Sequence, residues 1–217
     1  GREVKMFKNR KEAGEILGKK VKEVFDGQLE NPIVLGIPRG GVIVAKPVAS
    51  AINGELQIIV ARKIGFPHNP ECAIGAVSEE GDVILDQRFV GIVPESFLKE
   101  EIEKELKEAK RRRLLYTNGK FPEIEGRDVI IVDDGIATGA TVESAILLVK
   151  RKNPKRIILA VPVIPKDKVE KFSKLVDHLV AVEVPETFWA VGQFYEDFSQ
   201  TTDEEVIESL ESMREKD

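Results

Sequence analysis

An open, doubly wound α/β sheet, mostly parallel and flanked by helices, is the fold class this sequence predicts, with an antiparallel hairpin in its middle and a small closing segment at its C-terminal end. Three observations carry that prediction. Short β-branched apolar runs alternate with longer stretches of helical periodicity, the pattern of parallel strands joined by crossover helices. The chain has 217 residues, 42% of them hydrophobic, a size that buries on the order of 70% of its unfolded surface without disulfides or a structural metal. The alternation breaks once, at CAIGAVSEEGDVILD, where Glu80, Gly81 and Asp82 sit between two apolar runs, as in a hairpin turn.

In chain order, a helix is expected over Lys11–Phe25, then the apolar run Ile33–Ile37 as a strand and Val42–Ile52 as the helix that crosses back. A second strand is expected at Gln57–Ala61. The segment KIGFPHNPE that follows is rich in Gly, Pro and Asn and reads as a mobile loop leading into the hairpin of Cys72–Asp86. A long charged helix, Ser96–Tyr116, carries Leu98, Ile102, Leu106 and Ala109 on one stripe, the spacing of an amphipathic face. Its Glu and Lys residues read as a solvated surface. Strand Val129–Val132, helix Thr141–Arg151, strand Arg156–Val161, helix Lys166–Val176 and strand His178–Val184 complete the alternation.

Composition narrows the chemistry. Cys72 is the single cysteine, which excludes an internal disulfide framework and a Cys-rich zinc site, and His68 and His178 are the only histidines. Cys72 reads as a small core residue. No apolar run approaches the roughly 18 to 20 residues of a membrane helix, and GREVKMFKNRKEAGEI has no signal-peptide core, so a cytoplasmic location is expected. The net charge of −5 gives no overall positive field for nucleic acid. Only the cluster Lys110, Arg111, Arg112, Arg113 keeps a local basic patch open.

In doubly wound sheets ligands sit outside the carboxyl ends of the strands, so the loops after strands are the informative ones. VIIVDDGIATGATVESA, Val129 to Ala145, delivers Asp133 and Asp134 to a strand end and then turns through small residues into a helix. Backbone amides of Ala137, Thr138, Gly139, Ala140 and Thr141 at a helix N-terminus, with two Thr hydroxyls, form a nest for phosphate. The acids ahead of it would repel that phosphate. They suit an adjacent group that donates hydrogen bonds or carries positive charge: the vicinal hydroxyls of a ribose, or a Mg²⁺ shared with them. The other reading is that the acids cap a helix and the glycines merely turn the chain. There is no Lys where a triphosphate P-loop needs one, and no G-x-G-x-x-G.

VIIVDDGIATGAT resembles the phosphoribosyl pyrophosphate (PRPP) signature of type I phosphoribosyltransferases, and LGIPRGG after the first strand resembles that family's pyrophosphate loop. The resemblance implies that Asp133 and Asp134 hold the ribose hydroxyls and Mg²⁺, the metal largely through PRPP and water, and that Ala137–Thr141 hold the 5′-phosphate. Arg39, Gly40 and Gly41 would take the pyrophosphate, Arg39 as a permanent cation and the glycines by close backbone approach. Arg39, Asp133 and Asp134 are the residues to which catalysis is assigned. An ordinary tight turn with Arg39 in a surface ion pair is the alternative. The family often carries a non-proline cis peptide just before the first Gly of this loop, here Arg39–Gly40. Arg62 and Lys63 resemble the Arg-Lys-x-Gly segment whose cations reach pyrophosphate in adenine-type members, although a structural ion pair suits them as well.

The resemblance further implies a single phosphoribosyltransferase domain over 1–217, with a core at about residues 30–184 and a hood at about residues 185–217 together with the N-terminal segment. Phe188, Trp189, Phe194, Tyr195 and Phe198 fall within PETFWAVGQFYEDFSQ, where Phe188 and Trp189 would cover an acceptor base. A hydrophobic clasp or a dimer contact is the competing reading. The 6-oxopurine members carry an Asp where this chain has Ala137, and a Lys after the next strand, where it reads AVPVIPKD. The expected function is transfer of phosphoribose from PRPP to a nitrogenous acceptor with Mg²⁺, by a homo-oligomer, expected to be a dimer, with no membrane or nucleic-acid partner. A PRPP-sensing regulator of the same fold that binds nucleic acid is the alternative.

Overall fold

The structure, a computed structural model, describes residues 6–215. In chain order the elements are α1 (Arg10–Phe25), β1 (Ile33–Gly36), α2 (Gly40–Ile52), β2 (Glu55–Ile58), β3 (Ala61–Phe66), β4 (Asn69–Ser78), β5 (Val83–Leu85) and α3 (Glu95–Tyr116). They continue with β6 (Asp128–Val132), α4 (Ala140–Lys150), β7 (Arg156–Val163), α5 (Lys166–Leu175), β8 (His178–Glu183) and α6 (Asp203–Arg214). These residues form two compact units: one holds the chain up to Ile58, Glu123–Ala137 and the chain from Lys152 on, the other Ile59–Pro122 and Thr138–Arg151.

The first unit is built on a five-stranded sheet in the order β2-β1-β6-β7-β8, and every pairing in it is parallel. The central strands β1 and β6 are buried along their whole length, whereas the edge strands β2 and β8 contain exposed positions. That is why IVLG and DVIIV read as continuous apolar runs rather than alternating ones. From β1 the chain crosses to β2 on one side. From β6 it goes to β7 and β8 on the other. The winding therefore reverses between β1 and β6, where Gly36 is paired with Val132.

The two ends of the chain meet in this unit. Phe7 donates its amide to the Phe194 carbonyl at 2.8 Å, and Glu196 returns one to the Phe7 carbonyl at 2.7 Å. Phe7, Ala13, Val163, Phe194 and Tyr195 form one buried cluster, with Phe188 and Val191 packed against it. Helix α1 starts on Asn9, whose side chain accepts the Glu12 amide, and buries Ala13, Leu17 and Val21 at four-residue spacing.

The second unit contains the antiparallel sheet β3-β4-β5. Ile64, Ile74, Val77 and Val93 form its core, against which Leu98, Ile102 and Leu106 of α3 pack. Ala109 on the same stripe is fully buried. Arg113 near the end of α3 forms a two-pronged ion pair with Glu79, at 2.7 and 2.9 Å, and Glu79 also accepts the Val60 amide at 2.7 Å.

Several sequence expectations need correction. KIGFPHNPE is not a loop: β3 runs to Phe66 and returns as β4 from Asn69, around a tight turn with His68 at φ 62°. The apolar run at Gln57–Ala61 is two strands in different sheets. At Val60 the chain leaves the parallel sheet, its amide taken by the Glu79 carboxylate, so Arg62 and Lys63 lie within β3 rather than after a strand. Helix α2 opens at Gly40, two residues before the expected Val42, because Arg39 already has helical dihedrals, and the cis peptide is Pro38–Arg39, not Arg39–Gly40. Cys72 is half-buried in β4 rather than part of the core. Helix α6 was not anticipated, although Thr202 and Glu205 form a reciprocal capping box ahead of it.

Candidate active site

The first unit brings two of the expected loops together at the point where the sheet reverses. Ile37 donates its amide to the Val132 carbonyl at 3.0 Å, tying the start of the Pro38–Gly41 loop to the end of β6. A methyl group on Gly40 would lie 2.5 Å from Asp134 Oδ2 and 2.5 Å from Arg10 Nε, and one on Gly41 3.0 Å from Asp133 Oδ1. These two positions are glycine because the loop passes directly over the acid pair. The sequence reading assigned them to anion approach alone.

Asp133 and Asp134 are partly buried side by side, the Asp134 amide donating to Asp133 Oδ1 at 2.8 Å. Desolvation raises both carboxyls above the ordinary value. Asp133 is raised further, because the charge of Asp134 adds to its burial, while Arg10 opposes the rise at Asp134. Arg10 Nε donates to Asp134 Oδ2 at 3.0 Å, its Nη1 donates to the Ser199 carbonyl at 2.6 Å, and its guanidinium lies 4.0 Å from the centre of the Phe198 ring. Tyr195 donates its hydroxyl to the Asp134 carbonyl at 2.7 Å, and burial pushes that phenol well up from its usual value. Arg39 donates through Nε to Asp203 Oδ1 of α6 at 2.9 Å.

Arg10 and Asp203 were missed by sequence reasoning, and Tyr195 was named only as one of the aromatics of its stretch, without its bond to Asp134. Arg10 and Asp134 are 124 residues apart, and KNRKEAGE carries no sign of that pairing. Of the two residues expected to cover a base, Phe188 stacks on Phe194 with centroids 5.7 Å apart, and Trp189 is 84% exposed.

The second unit holds Thr138–Thr141, Arg62 and Lys63. Gly139, at φ 83°, precedes α4, whose first turn has no side-chain cap, while Ala140 makes only a long 3.5 Å contact to Thr138 Oγ1. Helix α2 of the first unit likewise opens without a side-chain cap, as α3 and α5 do and unlike α1 and α6. Such N-termini leave backbone amides for an anion to take. Arg62 is held by Glu105 of α3 at 3.0 Å, and Lys63 reaches the Glu71 carbonyl at 3.3 Å. Three of the four residues of the basic cluster on α3 are in ion pairs: Arg111 and Arg112 share Glu108, whose carboxyl is held down to about 2 chiefly by Arg111, and Arg113 is buried on Glu79, while Lys110 is exposed. Among the described residues no helix is long and apolar enough to cross a membrane.

A doubly wound sheet with an acid pair and a Gly-bearing loop at its reversal point defines an α/β protein of the kind that binds ligands at the carboxyl ends of its strands. A family model for the phosphoribosyl transferase domain matches residues 3–199. The chain belongs to this family. It is 38% identical over 212 residues to two Mycobacterium tuberculosis proteins provisionally named phosphoribosyl transferases, covering 96% of this chain and 47% of theirs, so it spans about half the length of these curated relatives. The protein TT1426 from Thermus thermophilus, solved by crystallography, is 39% identical, with a TM-score of 0.76, covering 96% of this chain and 99% of that one. A Neisseria gonorrhoeae protein solved with bound ppGpp shares the fold alone, at 12% identity and a TM-score of 0.52, covering 98% of each chain.

Proposed function

We propose that this chain is a PRPP-dependent phosphoribosyltransferase domain that transfers phosphoribose to a nitrogenous acceptor and releases pyrophosphate. The observation that carries this reading is the placement of Gly40 and Gly41, next to Arg39 in the chain, directly over Asp133 and Asp134 at the sheet reversal. A ligand whose ribose hydroxyls lie next to a pyrophosphate matches acids beside a cation-bearing helix start. In this reading Asp133 and Asp134 accept the ribose hydroxyls, and Ala137–Thr141, next in sequence, take the 5′-phosphate on the uncapped start of α4. The whole chain is read as one such domain, with residues 185–217 and the N-terminal segment as its hood and Phe188 and Trp189 beside the acceptor.

The bond between the anomeric carbon and pyrophosphate breaks with its electron pair leaving on pyrophosphate, and the acceptor nitrogen supplies the pair for the new bond. The protein contributes position and charge. Arg39 exchanges Asp203 for a pyrophosphate oxygen, and the amides of Gly40 and Gly41 face the same group. Arg62 and Lys63 are assigned to it as well, in exchange for Glu105 and the Glu71 carbonyl. The neighbouring carboxyls of Asp133 and Asp134, both raised by burial and Asp133 further by the charge of Asp134, suit a divalent cation held mostly by ligand oxygens and water. Mg²⁺ bound there would neutralise charge on the leaving group. We place the protein in the cytoplasm, as a homo-oligomer, most simply a dimer. The ion pairs of Arg111, Arg112 and Arg113 give no support to the nucleic-acid-binding alternative.

The test is a scan of nucleobases with PRPP and Mg²⁺, following pyrophosphate release. Hypoxanthine and guanine are expected to be poor acceptors, because Ala137 offers no carboxylate to manage a proton on the ring. Hypoxanthine turnover in the roughly 1 to 10³ s⁻¹ range usual for enzymes would overturn that assignment. Arg39→Ala is expected to weaken pyrophosphate by about 10- to 100-fold, the worth of a charged hydrogen bond, and ribose 5-phosphate much less. Equal losses by calorimetric titration would contradict the role given to Arg39.

A further inference from the structure

We infer that Arg10 is a positioning residue of the ribose site: its guanidinium fixes the Asp134 carboxylate by engaging Oδ2 and so holds it in place for a ribose hydroxyl. This rests on the PRPP reading above. The guanidinium is held on several sides, with Nε on Asp134, Nη1 on the Ser199 carbonyl and the plane over Phe198. Its side chain is only 12% exposed. Arg10 also passes so close over Gly40 that a methyl group there would touch its Nε, at 2.5 Å. The residue thus lies between the loop assigned to pyrophosphate and the acid assigned to ribose.

Asp134 is fixed a second time through its backbone, by the Tyr195 hydroxyl. Tyr195 in turn packs on Phe198, the ring beneath Arg10, with centroids 5.0 Å apart. Both supports come from the joined chain ends, where Phe7 is bridged to Tyr195. A planar guanidinium suits this place better than an ammonium. It can donate in fixed directions to a carboxylate and a carbonyl at once while its face stacks on an aromatic ring. It also places positive charge beside two acids that must receive a polyanionic ligand. The same side chain lines a cleft of about 810 Å³ with Ser199, Thr201 and Lys46, so it is reached from the solvent side.

The test compares two fragments of the ligand by calorimetric titration. Arg10→Gln is expected to weaken ribose 5-phosphate by about tenfold or more, while inorganic pyrophosphate changes by less than about threefold. Arg10→Lys, which keeps the charge and loses the fork, is expected to fall between Arg10→Gln and wild type. Tyr195→Phe removes the second support and keeps the ring; it is expected to show the same selectivity at smaller size, and it carries the test should Arg10→Gln fail to fold. Equal losses for both fragments, or none, in either folded variant would overturn the inference while leaving the PRPP reading intact. A wild-type protein that binds neither PRPP nor ribose 5-phosphate would overturn the PRPP reading itself, and Arg10's role with it.

Discussion

Replacing Asp133 and Asp134 together with Asn is expected to abolish the rise in melting temperature that PRPP and Mg²⁺ give the wild-type protein. A ligand that binds only the folded state stabilises it by mass action, about 2.7 kcal/mol at a hundred times its Kd. In a chain of this length that is on the order of 5 to 10 °C. The double variant keeps the shape of both side chains and removes both charges, so a surviving shift would mean that the ribose and its metal lie elsewhere. A second readout comes from Asp133→Asn alone without ligand. Because burial and Asp134 raise the Asp133 carboxyl in the folded state, the folded chain holds a proton that the unfolded chain has released. Stability therefore falls as pH rises from the ordinary carboxylate value of 3.8 through the raised one. Asn cannot ionise and still accepts the Asp134 amide. The single variant is thus expected to melt above wild type at neutral pH, and a lower melting temperature would show that Asp133 is not strained in the ligand-free protein.

Glu79→Ala carries the largest expected loss of stability. The change takes the carboxylate from a buried guanidinium, both side chains being 5% exposed, and from the Val60 amide at the point where the chain leaves the parallel sheet. Removing one partner of a buried ion pair costs about 3–5 kcal/mol. The melting temperature is expected to fall by about 10 °C or more, read by circular dichroism. Glu79→Gln, which keeps an acceptor for Val60, should lose less. A fall of only a degree or two for the alanine variant would show that Arg113 and Val60 find other partners at little cost.

The alternation of elements was legible because parallel strands covered on both faces must be apolar throughout. IVLG, DVIIV and RIILAVPV are such runs, and each was placed to within a few residues. The acid pair and the small-residue loop were legible for a related reason: their chemistry is written in consecutive residues, Asp133 to Thr141. Reading failed where one continuous run serves two structures. LQIIVARKIGF has no internal punctuation, and the bonds of Val60 to the distant Glu79, through both its amide and its carbonyl, mark where one sheet ends and the other begins.

The partners of the expected site residues lay beyond sequence reading altogether. A lone Arg in KNRKEAGE and a lone Asp in TTDEEV look like any surface charges. Bringing the chain ends together sets Arg10 against Asp134 and Asp203 against Arg39, across 124 and 164 residues. Local pattern determined the strands, the loops after them and the phosphate-type chemistry those loops can perform, because each depends on neighbours in the chain. The tertiary structure alone decided which charges offset one another in the ligand-free protein, because ion pairing depends on distance in space.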